Sequence, residues 1–96
     1  MKPSQALHIH REAIRAVVAM HRACNPRVFG SVVSNEDTQQ SDLDILIDPT
    51  PHTTLLDIGA IRHDLIQLLG IPVDVLTPKA LPEKFRAQVI ASAVAI

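Results

Sequence analysis

Tryptophan and tyrosine are missing from this chain of 96 residues, and Phe29 and Phe85 are its only aromatic side chains. The stacking platforms that grip single-stranded nucleic acid therefore have almost nothing to be built from. A basic excess is missing too. Nine Lys and Arg stand against 10 Asp and Glu, for a formal charge of −1, so nucleic acid is not expected as the main partner. Cys24 is the sole cysteine, which rules out an internal disulfide and a Cys-rich zinc site and suits a reducing, cytoplasmic setting. No apolar run approaches the roughly 20 residues of a membrane span or forms the core of a secretion signal, so no membrane partner is expected. What is present is an aliphatic chain, 47% hydrophobic and 20% charged. That composition supports a packed core and is read as a single domain over residues 1–96.

Hydrophobic periodicity orders the chain as helix, strand, strand, helix, strand, helix. From Gln5 to about Ala23, Leu7, Ile14, Val17 and Val18 oppose a polar stripe of His8, Arg11, Glu12, Arg15 and Arg22. This amphipathic helix is expected to be capped by Ser4 and stopped by Asn25-Pro26. Arg27 to Val33 is β-branched and aromatic, a strand ending near Gly30-Ser31. Ser34 to Ser41 is wholly polar and is expected to be a surface loop. Leu43 to Asp48 has the period of two that marks a strand with one face in the core. Thr54 to Leu69 is apolar at helical spacing, with Gly70 in the C′ position, and is expected to be largely buried. Pro72 to Thr77 makes a third strand, Pro82 to Ala93 a last helix, and the final residues an edge strand. The fold class is α/β in the α+β sense, a small mixed sheet with helices packed on one face.

Chemistry concentrates in the carboxylates. Asp42 and Asp44 are two apart on a strand, so both leave the same face and can converge on one hard cation. Asp74 interrupts another apolar strand, where an unpaired carboxylate is costly unless it faces a polar site. Three acids without a dedicated cage suit Mg²⁺ in phosphoryl or nucleotidyl transfer, because substrate phosphates complete the coordination. Gly30-Ser31 adds a close backbone approach to phosphate and a hydroxyl donor.

Gly30-Ser31, ten intervening residues, then Asp42-Leu43-Asp44 resembles the Gly-Ser, Asp-x-Asp signature of the DNA polymerase β nucleotidyltransferase superfamily. Ser41 and Ile45 extend the match, and Val73-Asp74-Val75 is similar to the strand carrying its third carboxylate. The short chain looks like the minimal nucleotidyltransferase (MNT domain) group. The resemblance implies a polymerase β-like core, two Mg²⁺ ions held by Asp42, Asp44 and Asp74, and a triphosphate held by Gly30 and Ser31. It also implies ATP as substrate and a HEPN-domain toxin as partner, with AMP transferred to a tyrosine hydroxyl of that toxin and the chain acting as its antitoxin. One departure stands out. Many members carry arginine and glycine soon after Gly-Ser, whereas this chain has Val32-Val33-Ser34-Asn35 followed by the acids Glu36 and Asp37. Arg27, Lys79, Lys84 and Arg86 are the candidates to supply the missing cation.

That loop keeps a second class of function open, a catalytically weak or inactive module that neutralises a HEPN ribonuclease by binding alone. Transfer to a small molecule or an RNA end is a third reading, disfavoured by the missing basic patch. Homo-oligomer formation through apolar faces also stays open. Asp48, beside Pro49, is expected to serve the turn. His8, His10, His21, His52 and His63 show no ligand spacing. Cys24 is expected to be a small, semi-buried thiol.

Overall fold

A computed structural model describes residues 1–96. Helix α1 spans Pro3–Met20, strand β1 Ala23–Phe29, β2 Leu43–Pro49, helix α2 Leu55–Leu69, β3 Val73–Leu76, helix α3 Glu83–Ser92 and β4 Val94–Ala95. Short 3₁₀ turns occupy Gly30–Val32 and Pro78–Ala80. The strands lie in the order β3-β2-β1-β4. β1 pairs antiparallel with both β2 and β4, while β2 and β3 run parallel through the α2 crossover, so the sheet is mixed as expected.

Period-two burial decides which face carries the acids. Leu43, Ile45 and Ile47 are fully buried on the face covered by α1 and α2, with Ile14, Val18, Ile61, Leu65, Val28, Val73 and Val75 around them. Asp42, Asp44 and Asp48 have the opposite parity and leave the sheet on the other side. Leu46 shares that parity yet is also fully buried, outside the main cluster, as is Leu81 after the 78–80 turn. β2 is thus apolar on both faces at its centre and polar only toward its ends. Helix α3 buries none of its residues and stands beside the open face rather than adding to the main core.

Local chemistry sets the element ends, several of which differ from the sequence reading. α1 starts before Ser4, and the side-chain amide oxygen of Gln5 accepts from the Lys2 backbone N–H at 2.9 Å, so Ser4 is inside the helix and not its cap. The helix stops at Met20 rather than at Asn25-Pro26, because Arg22 adopts φ +64 and its carbonyl accepts from the hydroxyls of Thr50 and Thr53. β1 accordingly begins at Ala23 and accommodates Asn25 (φ +51) and Pro26 as an irregularity in the β1–β2 register. α2 is capped by Thr54, whose hydroxyl accepts from the Asp57 N–H at 3.2 Å while Asp57 accepts from the Thr54 N–H at 2.9 Å. Gly70 closes it at φ +67, in the expected left-handed conformation. α2 is less buried than expected: Leu55 and Leu56 in its first turn are each 86% exposed, and only its Asp57, Ile61, Leu65, Leu69 stripe is inside. No helix is long and apolar enough to cross a membrane.

Candidate functional site

The three acids singled out in the sequence meet on the open face. Asp44 and Asp74 are register partners across the parallel β2–β3 pair, and Phe29 is the partner of Asp44 on the β1 side. Neighbouring strands are about 4.8 Å apart, so the two carboxylates stand side by side, with Asp42 two residues down the same face. Asp42 and Asp74 are exposed, whereas Asp44 is half-buried between them. Burial first, then the charges of Asp74 and Asp42, pushes the Asp44 carboxyl up to about 6. Its neighbours repel its charge and no lysine or arginine offsets it. The acids do not close into a preformed cage, since no group of three or more His, Cys, Asp or Glu is drawn tightly enough to hold a metal by itself. An exposed, mutually repelling carboxylate group suits Mg²⁺, which retains waters and takes substrate oxygens, better than an all-protein site.

Gly30 is fitted to Asp44. It has φ +76, and a Cβ placed on it would overlap the Asp44 Oδ2 atom and lie 3.2 Å from its Cγ. Glycine is therefore required twice, by the left-handed backbone and by the carboxylate packed against it. The chain then turns tightly: the Gly30 carbonyl accepts from the Val33 and Ser34 N–H groups at 3.1 and 3.3 Å, and the Ser31 carbonyl from the Glu36 N–H at 2.9 Å. Ser31 is part-exposed at the start of this 3₁₀ turn, where the first N–H groups have no partner within the turn. Gly30, Ser31, Asp42, Asp44 and Asp74 are thus brought to one end of the sheet.

Two of the four proposed cations are committed elsewhere. Arg27, only 13% exposed along its side chain, pairs with Asp48 at 2.5 Å, and Asn25 donates to the other oxygen of that carboxylate at 2.9 Å. Asp48 is accordingly structural. The Arg86 guanidinium donates to the carbonyls of Pro78, Lys79 and Leu81 at 2.8, 3.2 and 2.9 Å, clasping the turn between β3 and α3. Lys79 and Lys84 remain. The Lys84 ammonium lies 5.6 Å from the centroid of the Phe85 ring. Phe85 in turn lines a cleft of about 470 Å³ that also involves Phe29, Gly30, Leu76, Leu81 and Val89. This apolar cleft between the open sheet face and α3 adjoins the acids, and sequence periodicity gave no sign of it because its walls come from four separate elements.

The remaining candidates hold no site. His21 meets Asp64 at 2.7 Å, joining α1 to α2, and no other histidine gathers ligands. Cys24 is exposed, not semi-buried as expected, because it sits on the irregular stretch of β1.

Comparison with known proteins agrees with this fold. The model of the nucleotidyltransferase domain family matches residues 12–96. Two Methanocaldococcus jannaschii proteins, both provisionally named protein adenylyltransferases, are similar to the chain. One is 30% identical over 84 residues, covering 88% of this chain and 90% of that protein. The other is 32% identical over 78 residues, covering 81% and 80%. A solved structure described as a minimal nucleotidyltransferase superposes with a TM-score of 0.82 at 38% identity, covering 97% of this chain and 93% of that one. A toxin–antitoxin complex solved with AMP-PNP superposes with a TM-score of 0.73 at 16% identity, covering 88% and 69%, and there the likeness is one of fold. The chain belongs to the nucleotidyltransferase domain family, as a minimal nucleotidyltransferase of the MNT type.

Proposed function

We propose that the chain binds ATP with Mg²⁺ at Gly30, Ser31, Asp42, Asp44 and Asp74, and transfers AMP to a hydroxyl of a HEPN-domain toxin, a tyrosine in the reading favoured here. The observation that carries this reading is Asp44, half-buried against Gly30 and flanked by two further carboxylates with no cation to balance them. Mg²⁺ held by these acids would neutralise the triphosphate and the charge developing on the attacking and leaving oxygens. Gly30 lets the turn approach the phosphates, and Ser31 donates to them. The acceptor oxygen attacks the α-phosphorus, the bond to the β-phosphate breaks, and pyrophosphate leaves. The hydroxyl proton passes to an exposed carboxylate, for which Asp74 is placed at the sheet edge. The apolar cleft beside Gly30 is the natural seat for a planar, weakly polar ring next to the triphosphate.

A second reading is favoured by the commitments of Arg27 and Arg86, which leave no arginine to serve the loop: a module that masks a HEPN ribonuclease by binding alone. Incubating the protein with its co-purifying partner, ATP and Mg²⁺, followed by intact mass spectrometry, separates the two. An added AMP on the partner that is absent with Asp42→Asn and Asp44→Asn establishes transfer. A tight complex with no adduct and no ATP binding rejects it in favour of masking.

A further inference from the structure

The loop between the Ser31 turn and Asp42 is anchored at a point the chemistry of the site does not require. Asp37 reaches across 33 positions of sequence to accept, through Oδ2, the backbone N–H of Ser4 at 3.0 Å. Ser4 is in the first turn of α1, where the N–H groups have no partner inside the helix and the helix dipole favours a negative group. The Ser4 N–H bond, assisted by the charge of Lys2, holds the Asp37 carboxyl below the ordinary carboxylate range. The anchor is therefore made throughout the neutral range. It is also directly coupled to the turn, because the residue before Asp37 is Glu36, whose N–H closes on the Ser31 carbonyl at 2.9 Å. From Ser4 the path runs through the Asp37 carboxylate and one peptide unit to the carbonyl of Ser31. Beyond Asp37 the loop makes only local bonds, Thr38 with Ser41 and Gln40 with Thr38.

We infer that Asp37 is a positioning residue for the nucleotide site: by capping α1 from outside, it fixes the loop that aims Ser31 at the phosphates. This rests on the reading of Ser31 as a phosphate ligand given above. It also explains the presence of an acid in a loop that faces a triphosphate. A carboxylate used only as surface charge would repel ATP there, whereas one engaged with a helix N-terminus is partly neutralised and contributes order.

The two roles make opposite predictions for the same variant. ATP–Mg²⁺ binding is measured by calorimetry on the full chain for wild type, Asp37→Ala, Asp37→Asn and Gln40→Ala, with amide hydrogen exchange read over residues 31–41. With Asp37 as anchor, Asp37→Ala weakens binding about fivefold, the equivalent of one lost cap hydrogen bond, and speeds exchange at the Ser34 and Glu36 amides. Asp37→Asn keeps an acceptor oxygen and stays within about twofold of wild type. Gln40→Ala changes neither readout. Unchanged or tighter binding in Asp37→Ala overturns the anchor role while leaving the nucleotide site intact, as does equal loss in the Ala and Asn variants. A wild-type protein that binds no ATP–Mg²⁺ overturns the site itself and the positioning role with it, even where exchange at Glu36 still quickens.

Discussion

Replacing Gly30 by alanine tests whether the glycine is kept for the carboxylate beside it or only for its backbone angle. Its φ of +76 costs an alanine roughly 1–2 kcal/mol, and the added Cβ would overlap Asp44 Oδ2. Relief requires Asp44 to leave its rotamer, about another 0.5–1.5 kcal/mol, and pushes its carboxylate toward Asp42 or Asp74. The sum is about 1.5–3.5 kcal/mol, roughly a 6–28 °C fall in Tm for a domain of this size. Two internal controls separate the contributions. Gly70 has φ +67 with open space around it, so Gly70→Ala carries the backbone cost alone, about 1–2 kcal/mol, and loses about 4–16 °C. Gly59 is helical with nothing near its missing Cβ, so Gly59→Ala raises stability by about 0.5–1 kcal/mol. Differential scanning calorimetry of the three variants, with Gly30→Ala also combined with Asp44→Ala, is the assay. The combination is expected to recover to the level of Gly70→Ala, because the overlapped atoms are gone. Equal melting of Gly30→Ala and Gly70→Ala, or no recovery in the double variant, refutes the claim that Asp44 packs on the glycine.

Asp44 also gives the protein a pH dependence of unusual sign. Its folded carboxyl titrates near 6 against an ordinary value of 3.8, so the folded state holds the proton more tightly and stability falls as pH rises from about 4 to 6. Asp44→Asn is therefore expected to be the more stable protein at pH 8 without metal and to lose that advantage below pH 4, as followed by urea unfolding across pH. Adding Mg²⁺ at pH 8 raises the Tm of wild type and not of Asp44→Asn; equal shifts in both proteins place the ion elsewhere. Arg27→Ala breaks a part-buried pair with Asp48 and is expected to cost about 1–3 kcal/mol while leaving the ATP–Mg²⁺ Kd unchanged; a weakened Kd at undiminished stability returns Arg27 to the phosphates.

The core of the site was legible because strand parity and short motifs are local. Only Leu43 separates Asp42 from Asp44, so strand parity puts both on one face, and the resemblance of Gly30-Ser31 and Asp42-Leu43-Asp44 to the nucleotidyltransferase signature joined the turn to the acids. Asp74 was legible because a carboxylate inside Val73-Val75 has to leave the core. The fates of the arginines were not legible. Arg27 finds Asp48, and Arg86 finds three carbonyls of a turn, through contacts settled only when distant elements meet. The end of α1 was misjudged for a related reason. Asn25-Pro26 is a strong stop signal, but hydroxyls from Thr50 and Thr53, far along the chain, capture the Arg22 carbonyl and end the helix earlier. The anchoring of Asp37 was not legible either, because its partner, a backbone N–H of α1, carries no signature in its own side chain.

The parity of β2 has a consequence for how faithfully the chain folds. Leu43, Ile45 and Ile47 fill the core, while Asp42, Asp44 and Asp48 leave the opposite face. Sliding this strand by a single residue would send three carboxylates into the aliphatic interior and bring the three apolar side chains out into water. Such a misaligned sheet bears the desolvation of several charges at once, far beyond the stability of a small domain. Asp42, Asp44 and Asp48 therefore also proofread the pairing of the central strand, and neutralising all three is expected to yield a chain less certain of its register.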